Sequence, residues 1–163
     1  VGEAIPERFG DRLEVIHQSA LPLSRARAEM ARNPRYLWRG DVPGWVVRKE
    51  FVKTRLMVLS SVMEGGANVI SEAIVAGVPV VASDIPGSVG LLGEDYPGYY
   101  PVGDTAALTA MLSRVETDTD FLRRLTEACA ARAPLFTPER ERERWRSLLS
   151  RFVCAGAGST PCS

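Results

Sequence analysis

Two glutamates, Glu64 and Glu72, bracket a glycine pair in the stretch SSVMEGGANVISEAIVAGVPVVAS, residues 60–83. A carboxylate taken out of water is costly unless something binds it, so the pattern raises the question of a ligand. Gly65 and Gly66 carry no side chain, and a ligand can approach their backbone N–H groups closely. The helix expected to open behind them adds unpaired N–H donors and a partial positive charge, which together suit a phosphate group. Glu72 falls about five residues into that helix, roughly 7 Å beyond its start at 1.5 Å per residue. A phosphate at the helix start leaves a ribose at about that distance, and a carboxylate can accept from two vicinal hydroxyls. Glu64 lies before the loop, on the side where a sugar linked to a diphosphate would sit. The spacing suggests a clamp for a nucleotide sugar. A loop charge, a strand-to-helix turn and an exposed helix residue explain the same positions, and spacing alone leaves both readings open.

The elements that must position these residues follow from periodicity and punctuation. LEVIH (13–17) reads as a buried strand, LSRARAEMARN (23–33) as a helix, and RYLW (35–38) as a strand followed by turn chemistry at 40–44. WVVRKEFVKT (45–54) has a mixed amphipathic helical pattern, and LMVLS (56–60) is a continuous apolar run of strand length. A helix over 68–76 places Val69, Ile70, Ala73 and Ile74 on one stripe, and Gly77 ends it. VPVVAS (78–83) is the next buried strand, with Pro79 at its entry. A long loop is expected over 84–98, with one helical turn at 88–92, then a short strand at 99–102. Three helices follow. The first is capped by Asp104 or Thr105, the second spans DTDFLRRLTEACAARA, and the third takes Thr137 as cap and Pro138 as its first residue. Strands alternating with helices imply βαβ units, an α/β Rossmann-like parallel sheet with helices on both faces and ligands at the carboxyl ends of the strands.

Composition narrows the function class. The chain has 163 residues, 45% hydrophobic and 25% charged, with 20 basic and 20 acidic side chains. The neutral balance argues against nucleic acid as a partner. The arginines concentrated at 25–55 and 123–151 are read as solvated helix surface. The three cysteines (Cys129, Cys154 and Cys162) fit no metal spacing and point to a reducing compartment. No apolar run approaches the length of a membrane span, and no signal peptide is visible. The cytoplasm is the expected location. The start at Val1 suggests an internal piece of a longer protein.

Residues 60–83 resemble the signature of glycosyltransferase family 4 and its relatives with the GT-B fold: a glutamate, seven residues, a second glutamate, a small-residue helix, AGxPV, a strand and a loop. Here it reads Glu64-GGANVIS-Glu72-AIVAGVPVVAS, and the likeness extends through YPVGDTAALTAML (100–112) and covers about 12–150. EGGAN and PG stand where ordinary members more often have EGFGL and GG. In this wording the chain looks closest to the selenosugar synthases of selenoneine biosynthesis. The resemblance implies the C-terminal, donor-binding half of a retaining enzyme, with a UDP-activated hexose or N-acetylhexosamine as donor substrate, no cofactor or metal, and selenophosphate as acceptor. It further implies that Glu72 binds the ribose hydroxyls and that Glu64, the catalytic candidate, contacts the transferred hexose. Gly65, Gly66 and Ala67 would offer backbone N–H groups to sugar and phosphate, and Asn68 and Val69 would continue that helix start at the diphosphate.

Two departures bear on activity. The family's Arg and Lys pair, which neutralises the diphosphate, has no match here and is expected upstream of Val1 with the domain's first strand. The acceptor-binding N-terminal domain is absent as well, so the chain is expected to be inactive alone. Its organisation is expected to be a donor domain over 1–152 and a disordered tail over 153–163 rich in Gly, Ala, Ser and Pro. Secondary candidates are His17, Ser60, Ser61, Asp84, Ser88 and the backbone around Trp38–Gly40, while Trp38 and Trp45 are read as packing residues. In the family the final helix crosses back to the other domain, a contact Trp145, Leu148, Leu149 and Phe152 are placed to make. A UDP-sugar epimerase of the same fold, or a non-catalytic nucleotide-sugar-binding fragment, are the competing readings.

Overall fold

The computed structural model describes residues 23–33, 36–40, 42–64 and 68–156. The strand expected at 13–17 with His17, the loop residues Gly65, Gly66 and Ala67, and residues 157–163 lie outside the described residues. The described chain runs α1 (Leu23–Arg32), α2 (Gly44–Phe51), β1 (Met57–Leu59), α3 (Asn68–Val75), β2 (Val80–Ser83), α4 (Pro86–Leu92), β3 (Tyr99–Tyr100), α5 (Thr105–Thr117) and α6 (Thr119–Arg132). A 3-10 turn (Ala133–Phe136) then leads into α7 (Pro138–Gly156).

The three strands form one parallel sheet in the order β1-β2-β3, with Met57 opposite Val80 and Ala82 opposite Tyr99. Every residue of β2 is buried. Because successive side chains point to opposite faces, burial along the whole strand means that both faces of the sheet are covered, as parallel sheets require. The fold is α/β and Rossmann-like, as the alternation of elements predicts.

The covering helices present their apolar residues at intervals of three and four. Ile70, Ala73 and Ile74 of α3, Leu108, Leu112 and Val115 of α5, and Phe121, Leu125 and Cys129 of α6 are all buried in one core. Each such large side chain removed from water contributes about 1.5–3 kcal/mol. Asp104 caps α5 by accepting from Ala107 N–H at 2.8 Å, and Asp118 caps α6 by accepting from Phe121 N–H at 2.8 Å. Thr137 caps α7 through Arg140 N–H at 3.2 Å, with Pro138 at the first helical position. At the end of α3 the N–H of Val78 bonds the Ala73 carbonyl and that of Gly77 the Ile74 carbonyl. This Schellman pattern needs a left-handed residue, and Gly77 supplies it at φ 75°.

Tyr96, in the connection from α4 to β3, completes the sheet in an unusual way. Its hydroxyl accepts from Val80 N–H at 3.2 Å and donates to the Val80 carbonyl. Those are the two backbone groups that β3, only two residues long, does not reach.

Several expectations are corrected. Residues 36–38 pair with no described strand; instead Tyr36 N–H bonds the Asn33 carbonyl at 3.0 Å and the ring is buried. The helix expected over 45–54 ends at Phe51, where i→i+3 bonds from Lys53 and Thr54 close the turn and leave Val52 86% exposed. The expected loop over 84–98 contains a full helix, α4, because Pro86 suits a first helical position and buried Ser88 and Leu92 pack its inner side. Helix α7 continues to Gly156, past the expected start of the tail. Its ion pairs, Glu139–Arg142 and Arg140–Glu143, stand at i,i+3. Trp45 is 56% exposed beneath Lys49 Nζ, so it is no packing residue.

Candidate functional site

Parallel strands deliver their carboxyl ends to one edge of the sheet, and there the chain holds two segments against one another: 60–64 after β1 and 84–87 after β2. The end of β1 and the segment after it are tied down at three points. Tyr100 of β3 donates its hydroxyl to the Leu59 carbonyl at 3.2 Å, and Ser83, the last residue of β2, donates to the Ser61 carbonyl at 2.6 Å. The start of α4 lies directly against Glu64: a Cβ built on Gly87 would overlap the Glu64 carbonyl oxygen. A real Cβ never approaches backbone that closely, so glycine is required for this contact.

Glu64 itself is half-buried, and Ser61 Oγ donates to its Oε1 at 2.8 Å. Among the described residues its second oxygen has no partner. The three residues that follow lie outside the described ones, and α3 begins at Asn68. Asn68 is exposed and its carbonyl accepts from Ser71 Oγ at 2.7 Å, while Val69 packs partly against the core.

Glu72 is the fifth residue of α3, one turn from its start. It does not lie on the buried stripe, which consists of Ile70, Ala73 and Ile74 with Val69 at its margin. Its side chain is 38% exposed, and Oε1 stands 3.7 Å from Arg48 Nη1 on α2. The carboxylate is therefore neither a costly buried charge nor a free surface one. Arg48 and Glu72 face each other across a groove of about 350 Å³ that also contains Phe51, Val75 and Phe136. A second groove, about 480 Å³, runs between Asn68 and Ser71 of α3 and Trp145 and Leu148 of α7.

The secondary candidates divide. Ser61 orients Glu64, and Ser60 and Asp84 are exposed at the strand ends. Ser88 is fully buried with its Oγ unpartnered, out of reach of a ligand. Trp38 is half-buried, its ring against Gly40 and its indole N–H without a partner among the described residues. Arg48, Ser83, Tyr100 and Gly87 escaped sequence reasoning. Only Gly87, in a Pro-Gly pair, carried a signal, and that signal reads as an ordinary turn. Among the described residues no group of three or more His, Cys, Asp or Glu is gathered that could hold a metal. Burial pushes the Tyr99 and Tyr100 hydroxyls up to about 12, for Tyr99 with the Asp84 carboxylate adding to the effect. No helix among the described residues is long and apolar enough to cross a membrane.

Comparison with known proteins identifies the family and the fold. Residues 15–118, more than half of the chain, match the family described as Glycosyl transferases group 1. No curated protein sequence matches. Among solved structures, HepE from Anabaena in complex with UDP-glucose superimposes with a TM-score of 0.73 at 19% identity, over 91% of this chain and 43% of its own. Sucrose-phosphate synthase from Thermosynechococcus elongatus gives 0.70 at 21% identity, over 88% and 39%. TarM from S. aureus, in complex with Fondaparinux, alpha-GlcNAc-glycerol and UDP, gives 0.70 at 17% identity, over 90% and 30%. The chain thus spans less than half the length of these relatives, and the fold it shares with them is that of one GT-B domain.

Proposed function

The chain belongs to the glycosyl transferases group 1 family, and from that premise we propose that it is the donor-binding part of a retaining glycosyltransferase of the family 4 type. The donor is a UDP-activated hexose or N-acetylhexosamine. Glu72 accepts from the ribose hydroxyls, and Glu64 contacts the hexose being transferred. Gly65, Gly66 and Ala67, with Asn68 and Val69 at the start of α3, present the diphosphate with backbone N–H groups and the positive end of the helix. The sugar nucleotide is a substrate, and the reading calls for no resident cofactor or metal.

The observation that carries this reading is the placement of two partly exposed carboxylates, Glu64 and Glu72, before and one turn after the start of α3, at the carboxyl end of β1. Among the described residues Glu64 is anchored by one oxygen only. An anchored carboxylate can bind a hexose hydroxyl without losing side-chain freedom at that moment, which favours affinity. Transfer with retention is assigned to front-face attack assisted by the departing diphosphate.

The acceptor is assigned to a second domain facing this one, and we propose selenophosphate, giving a selenosugar, from the EGGAN and PG wording of residues 64–68 and 86–87. The free, buried thiol of Cys129 suits a reducing compartment, here the cytoplasm. Calorimetry on the full-length protein tests the donor reading: Glu72→Ala weakens UDP binding about tenfold, the loss of a charge-assisted hydrogen bond. Unchanged affinity would overturn it. Incubation with selenophosphate and a UDP-sugar, followed by mass spectrometry, tests the acceptor.

A further inference from the structure

The sequence of α3, NVISEAIV, contains no cation, and the positions one turn either side of Glu72 are Asn68 and Ala76. Any partner for Glu72 has to come from a neighbouring element. It comes from α2, where Arg48 is the fifth residue, as Glu72 is in α3. The two side chains meet one turn inside their helices. The guanidinium folds back along its own helix, with Nη1 at 3.6 Å from where a side chain on Gly44 would begin, and reaches Glu72 Oε1 at 3.7 Å. The neighbouring cations are otherwise engaged: Arg39 pairs with Glu50 on α2, and Lys49 lies over the Trp45 ring.

We infer that Arg48 is a positioning residue for donor binding: it holds the Glu72 carboxylate by one oxygen and leaves the other to the ribose. This rests on the assignment of Glu72 to the ribose. The distance is too long for a hydrogen bond, and the Arg48 side chain is 63% exposed, so the pair adds little to the stability of the fold. Its effect falls on the ligand instead. A carboxylate facing a nucleoside diphosphate is repelled by the phosphates, and a guanidinium at its side offsets that repulsion. The same contact restricts the Glu72 rotamer before the ribose arrives, which removes an ordering cost from binding. Phe51, Val75 and Phe136 line the rest of the groove, so the pair is less screened once a ligand covers it.

A double-mutant cycle on the full-length protein tests this, with UDP affinity read by calorimetry. R48A weakens UDP binding on the order of fivefold, the scale of one partly exposed ion pair, and R48K restores part of the loss because it keeps the charge without the planar fork. In an E72A background R48A has no further effect, because Arg48 acts through Glu72. With 2′-deoxy-UDP as probe the R48A effect shrinks. The inference is overturned if R48A binds UDP like the parent, or if R48A costs the same with and without Glu72, which would mark an independent contact. UDP affinity unchanged in E72A would instead sink the ribose assignment itself. Should R48A fail to fold, R48Q replaces it in the cycle, with the same expected and overturning outcomes.

Discussion

Gly87 and Glu64 meet backbone to backbone: the first turn of α4 lies against the Glu64 carbonyl with no room for a methyl group between them. The contact fixes how the segment after β2 sits over the segment after β1, and with it the height of the Glu64 carboxylate above the sheet. Gly87→Ala forces one of the two to move. Overpacking of this kind costs about 1–3 kcal/mol. Denaturant unfolding is expected to show that loss, and donor affinity is expected to fall with it. A variant as stable as the parent would show that α4 has freedom the contact denies.

Removal of the Glu64 side chain separates hexose from nucleotide. Glu64→Ala is expected to abolish transfer while UDP binding stays within about twofold, since uniform nucleotide contacts remain. Calorimetry with UDP beside an activity assay on the full-length protein checks the split, and an equal loss of UDP affinity would count against the assignment. Ser61→Ala, which frees the Glu64 carboxylate by removing the 2.8 Å bond, is expected to raise KM for the UDP-sugar with a smaller change for UDP.

The Ser83 hydroxyl ties β2 to the segment after β1 through the Ser61 carbonyl. Ser83→Ala leaves the partly buried Ser61 carbonyl short of a donor, at a cost of about 1 kcal/mol. The expected reading is a lowered denaturant midpoint with an unchanged slope. A midpoint equal to the parent's would mean that water replaces the hydroxyl.

The three tyrosines around β3 set an alkaline limit. Burial holds the Tyr99 and Tyr100 hydroxyls at about 12 and pushes Tyr96 up as well, against about 10 in the unfolded chain. The folded state therefore keeps these protons where the unfolded state loses them. Stability contributed this way is fully present below pH 10 and is lost as pH rises from about 10 towards 12. Unfolding free energy measured from pH 8 to 11 is expected to be flat at first and then to fall. Tyr99→Phe and Tyr100→Phe are each expected to make the fall shallower. A curve flat to pH 11 would contradict the burial.

Much of this architecture is readable from residue types. The stripe of Ile70, Ala73 and Ile74, the stop at Gly77, and the caps Asp104 and Thr137 are local signals, and local backbone chemistry decides them. Where a partner distant in sequence decides, the reading fails. The segment 86–92 looks like a loop because its Pro and Gly are loop residues in isolation; the burial of Ser88 and Leu92 makes it a helix. The 36–38 stretch has strand composition but pairs with no described strand. At the site, the glutamate spacing is visible in one dimension, whereas Arg48, Tyr100 and Ser83 reach it from other elements with no motif to announce them. Glu72 inside an apolar segment looks buried, yet helical geometry turns it 100° from its neighbour and out towards α2.

The Tyr96 hydroxyl on Val80 has a consequence for how this sheet can vary. One oxygen there performs the work of a whole peptide unit, donating and accepting in place of a longer β3. The chain after α4 is thereby released from running alongside β2 and is free to take its own course over residues 93–98. Insertions in that connection would be tolerated for as long as a phenol can still reach Val80. Replacement of the phenol by phenylalanine would shorten the tolerable range, because only a longer β3 could then satisfy the same two groups. A single side chain thus sets the trade between strand length and loop length at the amino-terminal end of β2.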